Sequence, residues 1–317
     1  MSPARNFPRS LVTGGAGFIG SHLAEALLAQ GGEVRVLDDL SSGRRENLPP
    51  AGGRFEFLEG SISDAKLLAA AMEGVDTVFH LAGLVAVPES VENPRKCIEL
   101  NDLGVFNTYQ AASAAGARRL VFSSRSAGYG EAAVPQHEDL APRPDTPYAL
   151  HKLLGEHYGL FFDRHRGLES VYLRYFNVYG PRQLPDSPYS GVISLFMARL
   201  KEGRPGLIFD DGQQTRDFVH VDDVVRANLA AAVRPGVSSL AFNIGSGRSV
   251  TIGELYGHLA ALAGRENAPE FAPPRPGDIR HSSGPIDRAA RLLGYAPRVG
   301  LREGLGGTWD WFSRQPA

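Results

Sequence analysis

Short apolar runs alternate with longer stretches of helical spacing through the first half of the chain. The apolar runs predict β-strands at residues 11–13, 34–37, 55–58, 77–82, 120–124 and 170–174. Between them, apolar residues recur with the period of an α-helix at residues 21–28, 65–72, 101–115 and 148–166. Strands that alternate with helices favour a parallel sheet covered on both faces, and right-handed crossovers make it doubly wound. We therefore expect an α/β fold whose ligands bind at the carboxyl ends of the strands.

The first strand runs into a glycine-rich turn that opens a helix. Residues 11–20 read Leu-Val-Thr-Gly-Gly-Ala-Gly-Phe-Ile-Gly, so the backbone can turn sharply and approach a ligand closely. The N-terminus of the helix that follows suits a phosphate or pyrophosphate, because its free N–H groups and its dipole favour an anion. We predict that a pyrophosphate binds at Gly14, Gly17, Phe18, Ile19 and Gly20.

The second apolar run ends in two acids, Asp38 and Asp39. Asp38 lies eighteen residues after Gly20, where a carboxylate can accept both hydroxyls of an adenosine ribose and would repel a 2′-phosphate. Strand, glycine turn, helix, strand and acid occur here in the order of a dinucleotide-binding unit. The predicted cofactor is NAD, and Arg44 and Arg45 leave NADP as the alternative.

Proline and glycine become frequent in the second half of the chain, and the regular alternation ends. A helical pattern lies at residues 218–233 and is preceded by a strand, and residues 240–245 form a further apolar run. We expect residues 1–176 to form an NAD-binding domain of the Rossmann type, to which residues 218–247 return. Residues 177–317 then form a smaller α/β lobe that binds the substrate.

Composition narrows the classes of function. The chain has 317 residues, of which 43% are hydrophobic and 21% charged, so a full core is possible and disorder is not indicated. The net charge of −2 gives no electrostatic reason to bind nucleic acid or an anionic membrane. The single cysteine, Cys97, excludes an internal disulfide and is expected to pack rather than react. We expect a cytoplasmic protein. We also expect no metal site, because the histidines lack the spacing of metal ligands.

Tyr148 and Lys152 stand four residues apart in a predicted helix and therefore share one face. A lysine cation beside a phenol favours the phenolate. A phenolate near a nicotinamide can remove a proton from a substrate hydroxyl as hydride leaves the same carbon. We predict that Tyr148 and Lys152 are catalytic and also contact the cofactor.

With these motifs the chain resembles the extended short-chain dehydrogenases/reductases and, among them, the UDP-galactose/UDP-N-acetylglucosamine 4-epimerase family. The matching segments are residues 13–20, 80–83, 148–152, 174–182, 214–223 and 275–278. Sugar-nucleotide dehydratases, decarboxylases and reductases share many of them. The resemblance implies that Tyr148 takes the proton of the sugar 4-hydroxyl while hydride passes from C4 to NAD. The 4-keto sugar would then turn over and take the hydride back on its other face.

The resemblance also implies the remaining site residues. Cofactor contacts are implied at Asp38, Asp39, Leu81, Ala82, Gly83, Ser123, Tyr148, Lys152 and Tyr175. Substrate contacts are implied at Arg125, Asn177, Val192, Arg216, Arg275, Asp278 and Ser282. The family is often dimeric through two long helices, which correspond here to the segments near residues 101–115 and 148–166.

Three positions depart from the family pattern. Arg125 stands where a serine or threonine usually reaches the sugar 4-oxygen, so that Ser124 or Ser126 would have to supply the catalytic hydroxyl. Ser61 replaces an acid that often contacts the adenine. Ser282 is small where a bulky tyrosine excludes N-acetyl sugars in some members. We therefore predict that UDP-GlcNAc and UDP-GalNAc fit as well as UDP-glucose and UDP-galactose.

Arg125 keeps several alternatives open. A uronate substrate would give it an anionic partner, and a reductase or a dehydratase would use related chemistry. The dipeptide at residues 126–127 is Ser-Ala where a dehydratase needs an acid pair, which counts against that class. A protein that binds NAD or a sugar nucleotide without converting it would also tolerate the arginine.

Overall fold

The structure, a computed structural model, describes residues 7–85, 87–183, 185, 191–265, 268–274 and 279–315. Its strands are β1 (Arg9–Thr13), β2 (Glu33–Asp38), β3 (Phe55–Glu59), β4 (Thr77–His80), β5 (Arg119–Arg125), β6 (Glu169–Tyr175), β7 (Asn177–Tyr179), β8 (Leu207–Phe209), β9 (Thr215–His220), β10 (Leu240–Ile244), β11 (Ser249–Thr251), β12 (Glu270–Ala272) and β13 (His281–Ser282). Its helices are α1 (Phe18–Ala29), α2 (Ala65–Ala71), α3 (Val87–Glu92), α4 (Pro94–Ile98), α5 (Gly104–Ala114), α6 (Pro147–Arg166), α7 (Val192–Lys201), α8 (Val221–Val233), α9 (Ile252–Leu262), α10 (Asp287–Leu293) and α11 (Leu301–Ser313). A π-helical turn, Glu99–Leu103, joins α4 to α5, and short 3-10 turns occupy Arg45–Asn47 and Ser126–Tyr129.

Seven parallel strands form the large sheet, in the order β10-β6-β5-β4-β1-β2-β3. Helices α1 and α8 pack together on one face, over a core that includes Leu23, Val121 and Val225. Helices α2, α5 and α6 cover the other face, over a core that includes Leu68 and Tyr109. The doubly wound α/β sheet that the alternating pattern predicts is confirmed, and the reversal of strand order falls between β1 and β4.

The second lobe is built around a smaller sheet. β9 pairs with β7, β11 and β13, while β8 and β12 form a separate two-stranded sheet. Helices α7, α9 and α11 pack here around Phe196, Tyr256 and Phe312. β10 then leaves this lobe and pairs with β6 in parallel, with Phe242 opposite Leu173. The division into residues 1–176 and 177–317 remains a proposal.

Helix α6 has clear sequence signals at both ends. The Thr146 hydroxyl oxygen accepts the Ala149 N–H at 3.2 Å, and Pro147 occupies the first helical position. The helix ends at Gly167, which has φ +70°. A Cβ on Gly159 would lie 2.5 Å from the Tyr172 ring, so this face of α6 lies directly on the sheet.

Two sequence expectations concern features outside the site. Cys97 is buried, and its sulfur accepts an N–H of the Asn101 side chain at 3.4 Å, so it packs as predicted. Within the described ranges, no helix is long and apolar enough to cross a membrane. The same residues contain no group of three or more His, Cys, Asp or Glu side chains that could hold a metal ion.

Candidate active site

The turn after β1 is formed by close backbone packing. Gly14 has φ +70°, and a Cβ on it would lie 2.7 Å from the backbone nitrogen of Ala82. A Cβ on Gly20 would collide with the carbonyl oxygen of Gly14. Both positions therefore require glycine, and the start of α1 lies against the loop that follows β4.

Helix α1 begins with N–H groups that no side chain caps. Its N-cap residue is Gly17, and Phe18 and Ile19 follow half-buried in the first turn. Among the described atoms, a Cβ on Gly17 would meet only the Gly14 carbonyl oxygen, at 3.3 Å. Open N–H groups at a helix N-terminus bind anions, so these residues fit the pyrophosphate of a dinucleotide.

Asp38 links the end of β2 to the glycine turn. Its carboxylate is 8% exposed and accepts the backbone N–H groups of Ala16 at 2.9 Å and Leu40 at 2.8 Å. Burial raises the pKa of this carboxyl, and the two backbone hydrogen bonds oppose that rise. Asp39 is exposed and accepts the Ser41 hydroxyl at 2.6 Å. Of the two acids, Asp38 is therefore the one placed against the glycine turn, where a ribose would lie.

The loop after β4 contains the predicted cofactor residues Leu81, Ala82 and Gly83 and is held by a residue that the sequence did not indicate. Asn101 is 2% exposed, accepts the Leu84 N–H at 2.7 Å and donates to the Leu84 carbonyl at 2.8 Å. It lies in the π-helical turn before α5. A polar residue on the buried side of a helical pattern was the only signal that could have revealed it.

Tyr148 and Lys152 lie on the buried face of α6, with 3% and 5% of their surfaces exposed. The Lys152 ammonium donates to the Ser123 carbonyl at 2.9 Å, at the carboxyl end of β5. It also lies 5.2 Å from the Phe122 ring centroid and 6.0 Å from that of Tyr148. The backbone N–H of Tyr148 is hydrogen-bonded to the Ser90 hydroxyl at 3.3 Å. The structure therefore places this pair together at the sheet edge where the sequence predicts the ligand.

The two groups have shifted proton affinities. Burial raises the pKa of the Tyr148 phenol, and the positive charge of Arg125 opposes that rise. Burial lowers the pKa of Lys152 to about 8, with the charge of Arg125 as a further cause. On balance the Tyr148 phenol is therefore harder to ionise than a free tyrosine, and the positive charge of Arg125 is the interaction that opposes this.

His80 lies between the glycine turn after β1 and the side chain of Lys152. Its Nδ1 is 2.8 Å from the Thr13 hydroxyl, and its ring stacks on Phe122 at a centroid distance of 5.7 Å. Burial, helped by the charge of Lys152, lowers the pKa of the imidazole to about 3. His80 is therefore neutral at physiological pH and is hydrogen-bonded to Thr13.

The serines proposed to replace the missing catalytic hydroxyl differ in the structure. Ser124 donates to Glu156 at 2.5 Å, and Glu156 also binds Arg174 at 2.7 Å, so this hydroxyl belongs to a buried ion-pair network. The catalytic role predicted for Ser124 stays a prediction, and its hydroxyl would have to leave Glu156 to reach the sugar 4-oxygen. Ser126 is 8% exposed, and its hydroxyl has no hydrogen bond to any described residue.

The Tyr175 side chain also has a hydrogen-bond partner on a helix. It is 3% exposed, and its hydroxyl oxygen accepts an N–H of Asn228 from α8 at 2.8 Å. The side chain is therefore held by α8, and the cofactor contact predicted at Tyr175 would be made by its backbone at the end of β6.

Arg125 ends β5 with a half-buried side chain. It borders a small cavity together with Gly128, Pro142 and Leu153. Its side chain makes no hydrogen bond or ion pair with the described residues. A guanidinium group therefore stands where the family pattern places a small hydroxyl.

Predicted substrate residues of the second lobe lie on one small sheet. Asn177 in β7 donates to the Asp217 carbonyl in β9 at 3.2 Å. Arg216 in β9 donates to the Thr215 carbonyl at 2.9 Å, and Ser282 in β13 is its register partner. Asn177, Arg216 and Ser282 are each half-buried, so a ligand can reach them.

Two further features border that sheet. Val192 begins α7, and no side chain of the described residues caps the N-terminus of this helix. The chain after β7 contacts α1, because the Pro181 carbonyl lies 3.0 Å from Nε2 of His22. The predicted substrate residues Arg275 and Asp278 lie outside the described residues.

Comparison with known proteins shows the family of the chain. The chain matches the NAD dependent epimerase/dehydratase family over residues 10–245. It is 41% identical over 309 residues to the UDP-glucose 4-epimerase of Mycolicibacterium smegmatis, covering 96% of this chain and 98% of that protein. The solved structure of UDP-glucose 4-epimerase with UDP-glucose from Thermotoga maritima has a TM-score of 0.91 and 40% identity, covering 96% and 98% of the two chains. MoeE5 in complex with UDP-glucuronic acid and NAD has a TM-score of 0.88 and 36% identity, covering 96% and 99%.

Further matches are named as a UDP-N-acetylglucosamine 4-epimerase, a UDP-N-acetyl-alpha-D-glucosaminuronate decarboxylase and a dTDP-glucose 4,6-dehydratase. These similarities support UDP-sugar 4-epimerisation, and they span several sugars. The predicted cofactor NAD is confirmed for the family, and the glycine turn and Asp38 fit it. The chain belongs to the NAD-dependent epimerase/dehydratase family and is an extended short-chain dehydrogenase/reductase, as its motifs predict.

Proposed function

We propose that this protein epimerises UDP-hexoses at C4 with NAD, through a transient 4-keto sugar. The observation that carries the proposal is the buried pair of Tyr148 and Lys152 at the carboxyl edge of the large sheet. The ammonium of Lys152 is fixed on the Ser123 carbonyl, and β4 and β5 connect this edge to the glycine turn. Proton transfer and dinucleotide binding can therefore take place at one edge of the sheet.

Each residue has a defined task in this reaction. When bound, NAD supplies a hydride acceptor for C4 of the sugar. Tyr148 would take the proton of the 4-hydroxyl as hydride leaves C4 and the carbonyl forms, and it would return that proton to the 4-oxygen as the hydride comes back to the other face of C4. Lys152 holds the nicotinamide ribose and stabilises the phenolate of Tyr148. Asp38 accepts the hydroxyls of the adenosine ribose.

The small sheet of the second lobe would bind the UDP group. Arg216 offers the forked donor geometry that suits a diphosphate, and Asn177 lies on the neighbouring strand. The uncapped start of α7 at Val192 offers further donors to an anion. Arg275 and Asp278 join this set by their family resemblance. Ser282, beside Arg216, would leave room for an N-acetyl group.

Two assays test the reaction and the open pocket together. Without added cofactor, the protein should convert UDP-glucose to UDP-galactose and UDP-GlcNAc to UDP-GalNAc. Ser282→Tyr should lower kcat/KM for UDP-GlcNAc by about 100-fold through steric exclusion and spare UDP-glucose. Ser313→Tyr, at the exposed end of α11, is the matched control. Conversion of only the non-acetylated pair by the wild type would contradict the open pocket.

A second candidate is a protein that binds NAD and a sugar nucleotide without converting them. Arg125 favours it, because a guanidinium replaces the hydroxyl that usually contacts the 4-oxygen. Tight binding of both ligands without any product, measured by calorimetry and by chromatography of the nucleotides, would establish this candidate instead.

We also propose a homodimer that forms through α5, α6 and the segments beside them. Large apolar side chains are exposed on the neighbouring α3, α4, π-helical turn and α6, at Val91, Ile98, Leu103, Leu150 and Phe161. A cluster of exposed apolar side chains on packed helices is typical of a protein–protein contact.

Leu103→Glu is expected to convert the dimer into a monomer, because it places a charge among the exposed apolar side chains of this cluster. Multi-angle light scattering measures the mass directly. Phe271→Glu changes an equally exposed residue on β12 and should leave the mass unchanged. A wild-type monomer at micromolar concentration would contradict the proposal.

A further inference from the structure

Within the part of the chain that the structure describes, Arg125 differs from neighbouring arginines of the large sheet in having no carboxylate partner. Arg119, at the other end of β5, binds Glu169 at 2.6 Å, and Arg174 in β6 binds Glu156 at 2.7 Å. Arg125 is half-buried and forms no ion pair with the described residues. A partly desolvated guanidinium without a carboxylate is unfavourable unless a ligand supplies the anion.

The surroundings of Tyr148 and Lys152 on α6 also favour an anionic ligand. The Lys152 ammonium donates to the Ser123 carbonyl at 2.9 Å, two residues before Arg125 at the end of the same strand. The charge of Arg125 opposes the rise in the pKa of the Tyr148 phenol and adds to the lowering of the pKa of Lys152, and the other group that acts on both is the thiol of Cys97, which is not a carboxylate. Two cationic side chains therefore stand at the carboxyl end of β5, while neutral hexoses bring no charge beyond the diphosphate.

The position of Arg125 beside the Tyr148–Lys152 pair indicates which carbon of the sugar would carry the anion. Tyr148 acts on the oxygen at C4, and the carbon that bears C6 is the next ring atom, C5. A carboxylate at C6 therefore lies within a few bonds of the atom that Tyr148 contacts. A guanidinium can receive such a carboxylate through two parallel hydrogen bonds, which a serine or threonine cannot.

We propose that Arg125 is a substrate-binding residue for a C6 carboxylate, and that the site accepts UDP-hexuronates. The inference rests on the proposed function, since it places the carboxylate by the contact between Tyr148 and C4. It assigns Arg125 a specificity role, and the carboxylate itself remains unchanged during epimerisation at C4.

Calorimetry of the NAD-loaded protein with UDP-glucuronate and UDP-glucose tests the inference. Arg125→Gln should raise the Kd for UDP-glucuronate by about 10- to 100-fold, as expected for a lost charge-assisted contact, and change the Kd for UDP-glucose far less. Arg125→Lys should be intermediate, because it keeps the charge and loses the fork. Arg302→Gln, an exposed arginine of α11, is the matched control. The melting temperature of each variant shows that it is folded.

The outcomes separate this inference from the proposed function. Equal effects of Arg125→Gln on both ligands, or no binding of UDP-glucuronate by the wild type, would overturn the role of Arg125. If the protein converts UDP-glucose but Arg125→Gln leaves the Kd for UDP-glucuronate unchanged, the epimerase activity stands and the role of Arg125 is wrong. If Arg125→Gln weakens the binding of UDP-glucuronate alone and neither sugar nucleotide is converted, the role of Arg125 is supported and the proposed epimerase activity is wrong.

Discussion

Tyr148→Phe is expected to lower kcat for C4 epimerisation by about 10²- to 10⁴-fold, the usual contribution of a general acid–base group. The phenyl ring keeps the packing of a side chain that is 3% exposed, so the fold and ligand binding should persist. Only the oxygen that exchanges a proton with the 4-hydroxyl is removed. Measuring kcat together with the Kd of the UDP-sugar separates lost chemistry from lost binding.

Tyr158→Phe is the matched control for this substitution. It makes the same change on the same helix, where the hydroxyl donates to Asp102 at 2.7 Å. The pH dependence adds a second readout. Burial raises the pKa of the Tyr148 phenol above its usual value, so the phenolate fraction, and wild-type kcat/KM with it, should rise as the pH rises through the alkaline range. Tyr148→Phe should lose this dependence on pH. A variant that retains more than about a tenth of the activity would contradict the assigned role.

Glu156→Ala is expected to destabilise the protein by about 3–5 kcal/mol, because it leaves a buried guanidinium without its counter-charge. Glu156 is 6% exposed and binds both Ser124 and Arg174, and Arg174 also binds Tyr129 at 3.0 Å. Urea unfolding measures the difference, provided that the transition is two-state.

Glu56→Ala removes a comparable pair at the surface and serves as the control. Its carboxylate accepts from Arg35 at 2.7 Å but is 53% exposed, so a loss below about 1 kcal/mol is expected. Similar losses for the two variants would show that burial of the Glu156–Arg174 pair is not what makes it important. The double variant Glu156→Leu/Arg174→Met should recover much of the stability, since an apolar pair carries no unmatched charge.

The sequence predicted those parts of the site whose chemistry is local. The glycine turn and Asp38 follow from spacing along one strand–helix–strand unit, and Tyr148 and Lys152 follow from the helical repeat. The side-chain periods also located the strands of the large sheet. β10 reaches its place beside β6 because the chain crosses back from the other lobe. The pairing of β10 with β6 is a tertiary contact, which local periodicity does not predict.

Three contacts at the site that the sequence did not indicate have a common physical cause. Ser124 was one of two serines predicted to replace the hydroxyl missing at Arg125, and its hydroxyl donates to Glu156 on α6, two helical turns beyond Tyr148. Tyr175 was predicted to contact the cofactor, and its hydroxyl is bonded to Asn228 on α8. Asn101 was missed because a π-helical turn directs it at Leu84. In each case the hydrogen-bond partner lies on another element of the fold. A motif along the chain therefore predicts where a residue lies but does not predict which group its side chain contacts.

The crossing of the chain between lobes limits how the protein can be divided. A fragment that stops after β6 would lack α8 and β10, whose side chains Val225, Ala227 and Phe242 belong to the core of the large sheet. β6 would become an open edge with unpaired backbone groups, which favours aggregation. A chimera that grafts the pocket of another sugar-nucleotide enzyme onto this dinucleotide-binding half therefore needs several junctions, and its recombination points must spare the segment from Val221 to Ile244.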